Sequence, residues 1–477
     1  MIYFTAIFIY LILLIGIGIY KSKKVKTQSD FAVAGRSLTP WILVGTMLAT
    51  WIGTGSILGN AGKTYETGIA ALILPIGGVL GIIVLTKIAG KARSYEKFTI
   101  PEIIGDRFGE IPRMLSALAL VIAYLVIVSY QYNAGGAVLE TIFVDGSGNS
   151  LISAQSAIII AAVFIVIYTM LAGLLSVAYT DVGNGIIITI AFFITFPILW
   201  IKAGGWSGIE SSFIAMNKES HLQFWGIYSP LQIANYCLPP FLLILGDANM
   251  YQRFFASKDE KSATKATVIL IFSVLIIELL IIGSAWISSS MIPDASAGKY
   301  VMIIASYRFL PPILGAIMLT TIVGIIISTA DSYLLVPATT IIRDVYQKYI
   351  NKNASDKKIV LLSRLLVLVL GIIAYIISRG FARSTTFFEK ALYAYTIYGT
   401  AITPSLLAAF FWKKATTAGS IASILTGIIV TLLWKELPII NNSSLVEVNE
   451  VIPAIILSVL SLIIVSKFTV KEDVTER

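Results

Sequence analysis

The chain has 477 residues, of which 57% are hydrophobic and only 13% are charged, and its formal net charge is +9. Soluble domains carry about 25% charged residues, so this composition indicates an integral membrane protein, whose positive charge reflects membrane topology rather than nucleic-acid binding. Cys237 and His221 are the only residues of their types, which excludes a disulfide framework, a His/Cys zinc site and most Ser-His-Asp chemistry. We expect His221, in a polar loop, to be a solvated surface side chain.

Thirteen apolar stretches are each close to the roughly 20 residues that cross a bilayer. These predicted spans lie near residues 2–20, 39–61, 68–90, 113–142, 153–172, 177–201, 229–252, 266–290, 311–338, 360–378, 388–411, 417–435 and 451–468. If the spans alternate in direction, one side of the membrane holds 26 of the 35 Lys and Arg and the other side holds nine. The basic side comprises the loops around 21–37, 87–113, 253–265, 343–364 and 413–414 and the C-terminal tail. Because positive residues mark the cytoplasmic side, we predict a multi-pass protein of the plasma membrane with its N-terminus outside and its C-terminus in the cytoplasm.

Two spans carry signs of a broken helix. Span two contains the stretch ATWIGTGSILG, with glycine and hydroxyl residues at mid-depth, and span seven contains LPPFLLILGDAN, with two prolines and an aspartate. Interrupted segments in corresponding positions of two halves of a chain indicate a transporter binding site. The alternative is that the glycines of span two serve close helix packing.

Span nine carries an unusual polar cluster. Ser328, Asp331 and Ser332 follow the spacing i, i+3 and i+4, so they share one helical face, with Thr329 beside them. A second carboxylate, Asp181, lies at the predicted cytoplasmic start of span six. Hydroxyl and carboxylate oxygens suit a hard cation, and a charge at this depth costs at least about 2.5 kcal/mol unless something stabilises it. There are three alternatives to a cation site. The hydroxyls could donate to helix carbonyls, Asp331 could pair with a partner not evident from the sequence, or Asp331 could carry a proton.

Ordered motifs along the chain resemble the sodium:solute symporter family. They are GRSLTPW (35–41), ATWIGTGS (49–56), YTMLAGLLSVAYTDV (168–182), YQRFFASKDEKSA (251–263) and STADSYLL (328–335) followed by RDVY (343–346). Two of them, ATWIGTG and LLSVAYTDV, look locally most like the high-affinity choline transporter branch. The resemblance implies an all-α fold of about 13 transmembrane helices, of LeuT type.

This resemblance also implies a division of the chain. Residues 39–228 and 229–412 would form two inverted five-helix repeats. Residues 1–38 would form a flanking helix with a basic loop, and residues 413–477 would form two flanking helices and a cytoplasmic tail.

The resemblance further implies where sodium, the coupling ion, binds. The main site would use backbone carbonyls and hydroxyls of spans two and nine: Ala49, Ile52, Ile325, Ser328 and Thr329. A second sodium site, or an exit site, would use Asp181, Asp331 and Ser332. Asp331 stands where members with this second site carry serine, so a second carboxylate joins the site and binds either a cation or a proton.

The solute would be a small polar organic molecule, with an amine-containing cation or zwitterion favoured. Placing the charged side chains of Asp247 and Glu278 at membrane depth costs free energy, and either carboxylate can bind the amine of a solute. Trp51 matches one position of the aromatic cage of the choline branch, but Asp247 stands where another cage tryptophan aligns. The substrate-binding candidates are Trp51, Thr54, Ser56, Tyr130, Asn133, Asp247, Asn249 and Glu278. As alternatives, Asp247 caps the second half of its helix and Glu278 faces a polar neighbour.

Several classes of function compete for this sequence. We see no nucleophile–base pair or cofactor motif for an enzyme and no continuous polar stripe for a channel. A membrane sensor on a transporter fold would need a signalling domain, and we expect none in the nine residues after Phe468. We therefore predict a sodium-coupled symporter in the lipid bilayer that works by alternating access, with a proton-coupled carrier of the same fold or a transporter-like membrane sensor as the alternatives.

Overall fold

The fold is helical wherever it is described. The computed structural model describes residues 2–22, 25–143, 150–294, 298, 300–380, 386–441 and 443–470. Regular structure in these ranges consists of helices, apart from isolated β-bridge residues such as the pair Leu38 and Ser257. The predicted all-α fold is therefore confirmed. Some predicted loop charges (Lys23, Lys24, Lys299 and Arg383) and the tail after residue 470 lie outside the described residues.

The predicted spans correspond to helices. In the described chain, nine helices are each long and apolar enough to cross a membrane, and a bent pair makes a tenth candidate span. The nine are Ile2–Tyr20, Glu110–Ile142, Ala154–Leu171, Gly173–Lys202, Glu260–Ser289, Pro312–Ile350, Asp356–Gly380, Phe387–Phe411 and Val451–Thr469, and the pair is Pro40–Trp51 with Gly55–Ile73. The other three predicted spans are shorter helices: Ile76–Leu85 in span three, Pro230–Gly246 with Ala248–Ala256 in span seven, and Thr417–Leu433 in span twelve. Connecting helices include Gln28–Val33, Ala89–Ser94, Ile100–Phe108, Gly205–Ala215 and Val301–Arg308.

Span nine lies at the centre of the bundle. In its most apolar window 78% of the residues are buried, against 17% in span one. A helix that is covered on all sides has no lipid-facing stripe, so polar residues on any of its faces meet protein rather than lipid. The polar cluster of span nine is therefore an internal site.

Span two is broken at mid-depth, as its sequence predicts. Its first helix ends at Trp51, Ile52 leaves the helical conformation with φ −74° and ψ 83°, and a π-helical segment begins at Gly55. The two parts are bent by 48°. Gly53 is required at this break because a Cβ atom there would lie 2.9 Å from Oγ1 of Thr329 in span nine.

Span seven is broken at Asp247. The helix that precedes it contains Pro239 and Pro240, which cannot donate backbone hydrogen bonds. Asp247 has φ −63° and ψ 111°, and its side chain accepts a hydrogen bond from the backbone N–H of Asn249 at the start of the next helix. The aspartate therefore occupies the N-cap position of the second half of the span.

A tight turn separates spans five and six. Gly173 has φ +65°, and a Cβ atom there would lie 3.0 Å from the ring of Phe31. Both the left-handed conformation and the close approach require glycine. The turn places Asp181 two helical turns into span six, where it faces the bundle with no exposed surface.

The expectation of a solvated His221 is wrong. This side chain is only 5% exposed, and its Nε2 atom lies 3.0 Å from the carbonyl oxygen of Tyr65. Gly68 approaches it so closely that a Cβ atom would lie 2.2 Å from the Cα of His221. The polar loop is folded back onto span two, and burial lowers the pKa of the imidazole.

Candidate sodium and solute sites

Spans two and nine, which carry the main predicted sodium site, contact each other at the break of span two. Ser328 Oγ lies 3.4 Å from the carbonyl oxygen of Ala49. Oγ1 of Thr329 is buried and has no hydrogen-bond partner among the described residues. Ile52 ends the first helix, and its N–H donates the last helical hydrogen bond, to the carbonyl of Leu48. Ile52 and Ile325 are both fully buried. An unpartnered hydroxyl beside the carbonyl end of a helix fits a sodium ion, since leaving a buried polar atom unpaired is otherwise costly.

Asp181 is joined directly to this region. One carboxylate oxygen accepts a hydrogen bond from Ser328 Oγ at 2.5 Å, and the other accepts from Thr46 Oγ1 at 2.6 Å. Ser328 therefore contacts both the carbonyl of Ala49 and the carboxylate of Asp181. The two predicted ion sites share a hydroxyl and form one continuous polar region.

Arg253 contacts the residues of the second predicted site. In the sequence it was counted among the basic residues of the loop around 253–265, so it was not predicted as a site residue. Its side chain is fully buried. Its Nη2 atom donates to Ser332 Oγ at 2.7 Å and lies 3.6 Å from the carboxylate of Asp181. Its position six residues after Asp247 could have indicated that it is buried. A helix that restarts at mid-membrane still has its second turn inside the protein.

Asp331 lies beside this arginine without a direct ion pair within 4 Å among the described contacts. Ser332 Oγ accepts from Arg253 and donates to Oδ1 of Asp331 at 3.3 Å. Asp331 is 1% exposed. The structure thus brings Asp181, Asp331 and Ser332 together, as predicted from their motifs.

A ring of tyrosines surrounds Asp247. The hydroxyl of Tyr124 donates to Oδ1 of Asp247. The ring of Tyr124 lies 4.6 Å from that of Tyr333 and 5.2 Å from that of Tyr398, whose hydroxyl donates to the carbonyl of Gly246 at 2.6 Å. Oδ2 of Asp247 is buried with no partner in the described chain. The second oxygen of this carboxylate is therefore available to a ligand.

Two amide groups near the helix breaks also have unpaired donors. Thr54 Oγ1 donates to Oε1 of Gln131, while Nε2 of Gln131 has no partner among the residues described. The Nδ2 atom of Asn249 is likewise buried and unpaired, although its Oδ1 accepts from Arg253. Tyr130, next to Gln131, lies beside Tyr395. Neither amide nitrogen has an acceptor in good hydrogen-bond geometry, although the hydroxyls of Tyr130 and Tyr333 lie close to Gln131 and Asn249, respectively.

Other substrate candidates lie apart from Asp247. Trp51, Ser56 and Glu278 line a separate cavity of about 40 Å³. Both oxygens of Glu278 are already occupied, by Ser56 Oγ at 2.5 Å and by Asn60 Nδ2 at 3.1 Å.

Asn133 lines a different and much larger cavity of about 930 Å³, where its Nδ2 atom donates to the carbonyl of Ser378. Asn133 is thus not brought to the helix breaks.

Paired broken helices around a polar site at mid-membrane define a secondary transporter. The profile of the Sodium:solute symporter family matches residues 31–427, and the chain belongs to this family. The osmoregulated proline transporter OpuE of Bacillus subtilis is 28% identical over 97% of this chain and 94% of its own length. A sodium/proline symporter of Staphylococcus aureus is 26% identical over 98% and 93%, respectively.

Solved structures share the fold. A Na+-coupled sialic acid symporter in a substrate-bound outward-open state has a TM-score of 0.80 at 17% identity and covers 98% of both chains. MhsT in complex with L-phenylalanine has a TM-score of 0.55 at 12% identity, over 89% of this chain and 97% of that one. The chain is a sodium-coupled symporter of the plasma membrane rather than an enzyme, with a small organic solute.

Proposed function

We propose that this protein imports a small amine-containing solute together with sodium, and that Asp247 receives the amine. The observation that carries the proposal is the buried, unpartnered Oδ2 of Asp247 inside the tyrosine ring. An ammonium group would make two kinds of favourable interaction here: an ion pair with the carboxylate and cation–π contacts with the aromatic faces.

A zwitterion fits better than a cation alone. The unpaired N–H donors of Gln131 and Asn249 need an acceptor, and a solute carboxylate supplies one. A quaternary ammonium alcohol offers no carboxylate for these donors. The proline transporters among the relatives support an amino-acid-like solute.

For sodium, we propose the main site at the carbonyls of Ala49, Ile52 and Ile325 with the hydroxyls of Ser328 and Thr329. The orphaned hydroxyl of Thr329 supports this assignment. Sodium there joins span two to span nine and so organises the solute site between the breaks of spans two and seven. The Asp181 side of the polar region then passes the ion onward as the protein opens to the cytoplasm.

The alternating-access motion is proposed to involve two repeats, residues 39–228 and 229–412, whose broken helices are spans two and seven. The charge distribution supports an outside N-terminus and a cytoplasmic C-terminus. One sodium ion moving down about 100 mV yields roughly 2.3 kcal/mol, and a tenfold gradient adds roughly 1.4 kcal/mol. Together they support a solute gradient of a few hundred-fold.

The test is ligand binding by purified protein in choline-free potassium buffer. Thermal stability is measured while sodium is titrated, and then with L-proline, glycine betaine, choline and sialic acid at saturating sodium. We expect sodium to stabilise the protein and one amine-containing solute to add to that shift, because a ligand stabilises the state that it binds. Stabilisation by falling pH in place of sodium would contradict sodium coupling.

Asp247→Asn tests the amine directly. Asparagine keeps the helix cap and still accepts from Tyr124, but it carries no charge, so solute affinity should fall by about 10- to 100-fold with the sodium response retained. Glu278→Gln is the matched control, because both oxygens of that buried carboxylate already have donors. Unchanged solute affinity in Asp247→Asn would refute the assignment.

A further inference from the structure

The cavity of about 930 Å³ that Asn133 lines, the outer cavity, lies at the end of the bundle that is predicted to face outside. Its walls come from the outer ends of spans one, four, five, ten and eleven and from the connecting helix Val301–Arg308. Its volume falls within the range of about 300–1,000 Å³ that is usual for small-molecule sites. The proposed sodium and solute sites give this cavity no role.

The outer cavity carries an excess of positive charge. Three cationic side chains line it, those of Arg308, Arg379 and Lys390, against one carboxylate among the described residues, that of Glu140. The predicted outer side of the chain holds only nine Lys and Arg in all, and positive residues are disfavoured on that side. Membrane topology therefore does not explain why three of them surround one cavity. Cations that line a concave surface attract an anionic group into it.

Aromatic rings position two of these cations. The guanidinium of Arg308 lies 5.8 Å from the ring centre of Tyr307, and the ammonium group of Lys390 lies 5.5 Å from that of Phe387. Both rings line the outer cavity. Arg308 and Arg379 are exposed, and neither forms an ion pair within 4 Å in the described part of the chain. Their charges are therefore available to a ligand from outside.

The floor of the outer cavity lies close to the proposed solute site. Lys390 is only 6% exposed and precedes Tyr395 by about 7.5 Å along the axis of span eleven. Asn133 follows Tyr130 by about 4.5 Å along span four. Tyr130 and Tyr395 lie beside each other, and Tyr395 is close enough to Asp247 to interact with its charge. This tyrosine pair therefore separates the outer cavity from Asp247.

We propose that the outer cavity captures the carboxylate of the zwitterionic solute before the solute reaches Asp247, and that it selects against solutes that are only cationic. This inference rests on the proposed function, since it concerns the solute whose amine Asp247 receives. The cations of the cavity hold the carboxylate at the outer end, so the ammonium group points inward. A quaternary ammonium alcohol carries positive charge alone and is repelled at this first step.

Cysteine labelling tests the charge of the outer cavity. Thr141 lines the cavity, and Thr141→Cys combined with Cys237→Ser places the single cysteine of the chain there. The purified protein, in low-salt potassium buffer, reacts with a methanethiosulfonate that carries either a sulfonate or a trimethylammonium group. Each rate is divided by the rate of the same reagent with 2-mercaptoethanol. We expect the anionic reagent to react at least about tenfold faster than the cationic one, because a cleft of one sign concentrates the opposite charge about 10- to 1,000-fold.

Charge variants assign this preference to particular residues. Arg308→Gln combined with Arg379→Gln should lower the ratio of the two rates by about tenfold, and Glu140→Gln should raise it. Lys202→Gln is the control, since Lys202 is an exposed cation at the same predicted side but does not line the cavity. A ratio near one in the Thr141→Cys protein, an unchanged ratio in the arginine variant, or an equal loss in the control would overturn the inference.

Protection of the same cysteine tests capture of the solute. L-proline, glycine betaine and choline are added separately at equal millimolar concentrations, without sodium. We expect the two zwitterions to slow labelling and choline to leave it unchanged, and we expect the protection to disappear in concentrated potassium chloride, which screens the charges. Equal protection by choline, or no protection by either zwitterion, would overturn the capture site.

Asp247→Asn distinguishes the outer cavity from the solute site. Added to the Thr141→Cys protein, it should leave the protection in place, because Asp247 lies beyond the tyrosine pair. Loss of protection would assign the bound zwitterion to the deeper site and overturn the capture site. Failure of the proposed function has a different signature, which is unchanged solute affinity of Asp247→Asn at saturating sodium.

Discussion

Removal of the Thr329 hydroxyl should weaken sodium binding without lowering the stability of the sodium-free protein. Thr329→Val replaces Oγ1 with a methyl group of similar size, and Oγ1 has no hydrogen-bond partner in the described structure. An unsatisfied buried hydroxyl costs about 1–3 kcal/mol, so the sodium-free variant should unfold at the same or a higher temperature than the native protein. Loss of one ligand to a charged group costs about 1.5–3 kcal/mol, which weakens sodium affinity by roughly 10- to 150-fold.

The assay is thermal unfolding in potassium buffer as sodium is titrated, with the native protein run in parallel. Thr339→Val is the matched control, since Thr339 lies on the same helix and is equally buried at 3%, but its hydroxyl donates to the carbonyl of Leu335 at 3.0 Å. The control should lose stability without sodium and keep the native sodium affinity. Native sodium affinity in Thr329→Val, or an equal loss in the control, would refute the site.

Three further predictions concern other contacts. Asp181→Asn should raise the sodium concentration for half-maximal uptake more than the KM for solute, because it leaves the solute side intact; an equal change in both constants would argue against an ion site. Gly53→Ala should weaken sodium affinity, because its Cβ would lie 2.9 Å from Thr329 Oγ1, whereas Gly16→Ala, with nothing within 4 Å, should leave it unchanged in the same titration. Burial lowers the pKa of His221, so its contribution to stability is complete above about pH 6.5 and is lost as the pH falls below that value. The melting temperature of His221→Gln should accordingly fall less between pH 7 and pH 5 than that of the native protein.

Features that depend on short stretches of chain were predictable. The lengths of the apolar runs gave the spans because the bilayer thickness fixes how many residues a helix needs to cross it. The glycines of span two and the Pro-Pro and Gly-Asp pairs of span seven indicated the breaks, since proline lacks a backbone N–H donor and glycine and aspartate have low helix propensity. The i, i+3, i+4 spacing likewise put Ser328, Asp331 and Ser332 on one face.

Features that depend on contacts between distant segments could not be predicted from the sequence. In the sequence, Arg253 begins the basic stretch 253–265, which was assigned to a loop, and only the packing of spans six, seven and nine shows that it is buried against Asp181 and Ser332. Similarly, Glu278 resembled a solute ligand until Ser56, 222 residues away, was found to donate to it.

By itself, then, the sequence determined an all-helical membrane transporter with two broken spans and a hard-cation cluster, because periodicity, span length and helix breaking act within about 20 residues. Only the tertiary structure decided which buried charges neighbour one another and which polar atoms remain unpaired. In a low-dielectric interior the charges of Asp181 and Asp247 depend on partners that are distant in the sequence: Asp181 lies 147 residues from Ser328, and Asp247 lies 123 residues from Tyr124.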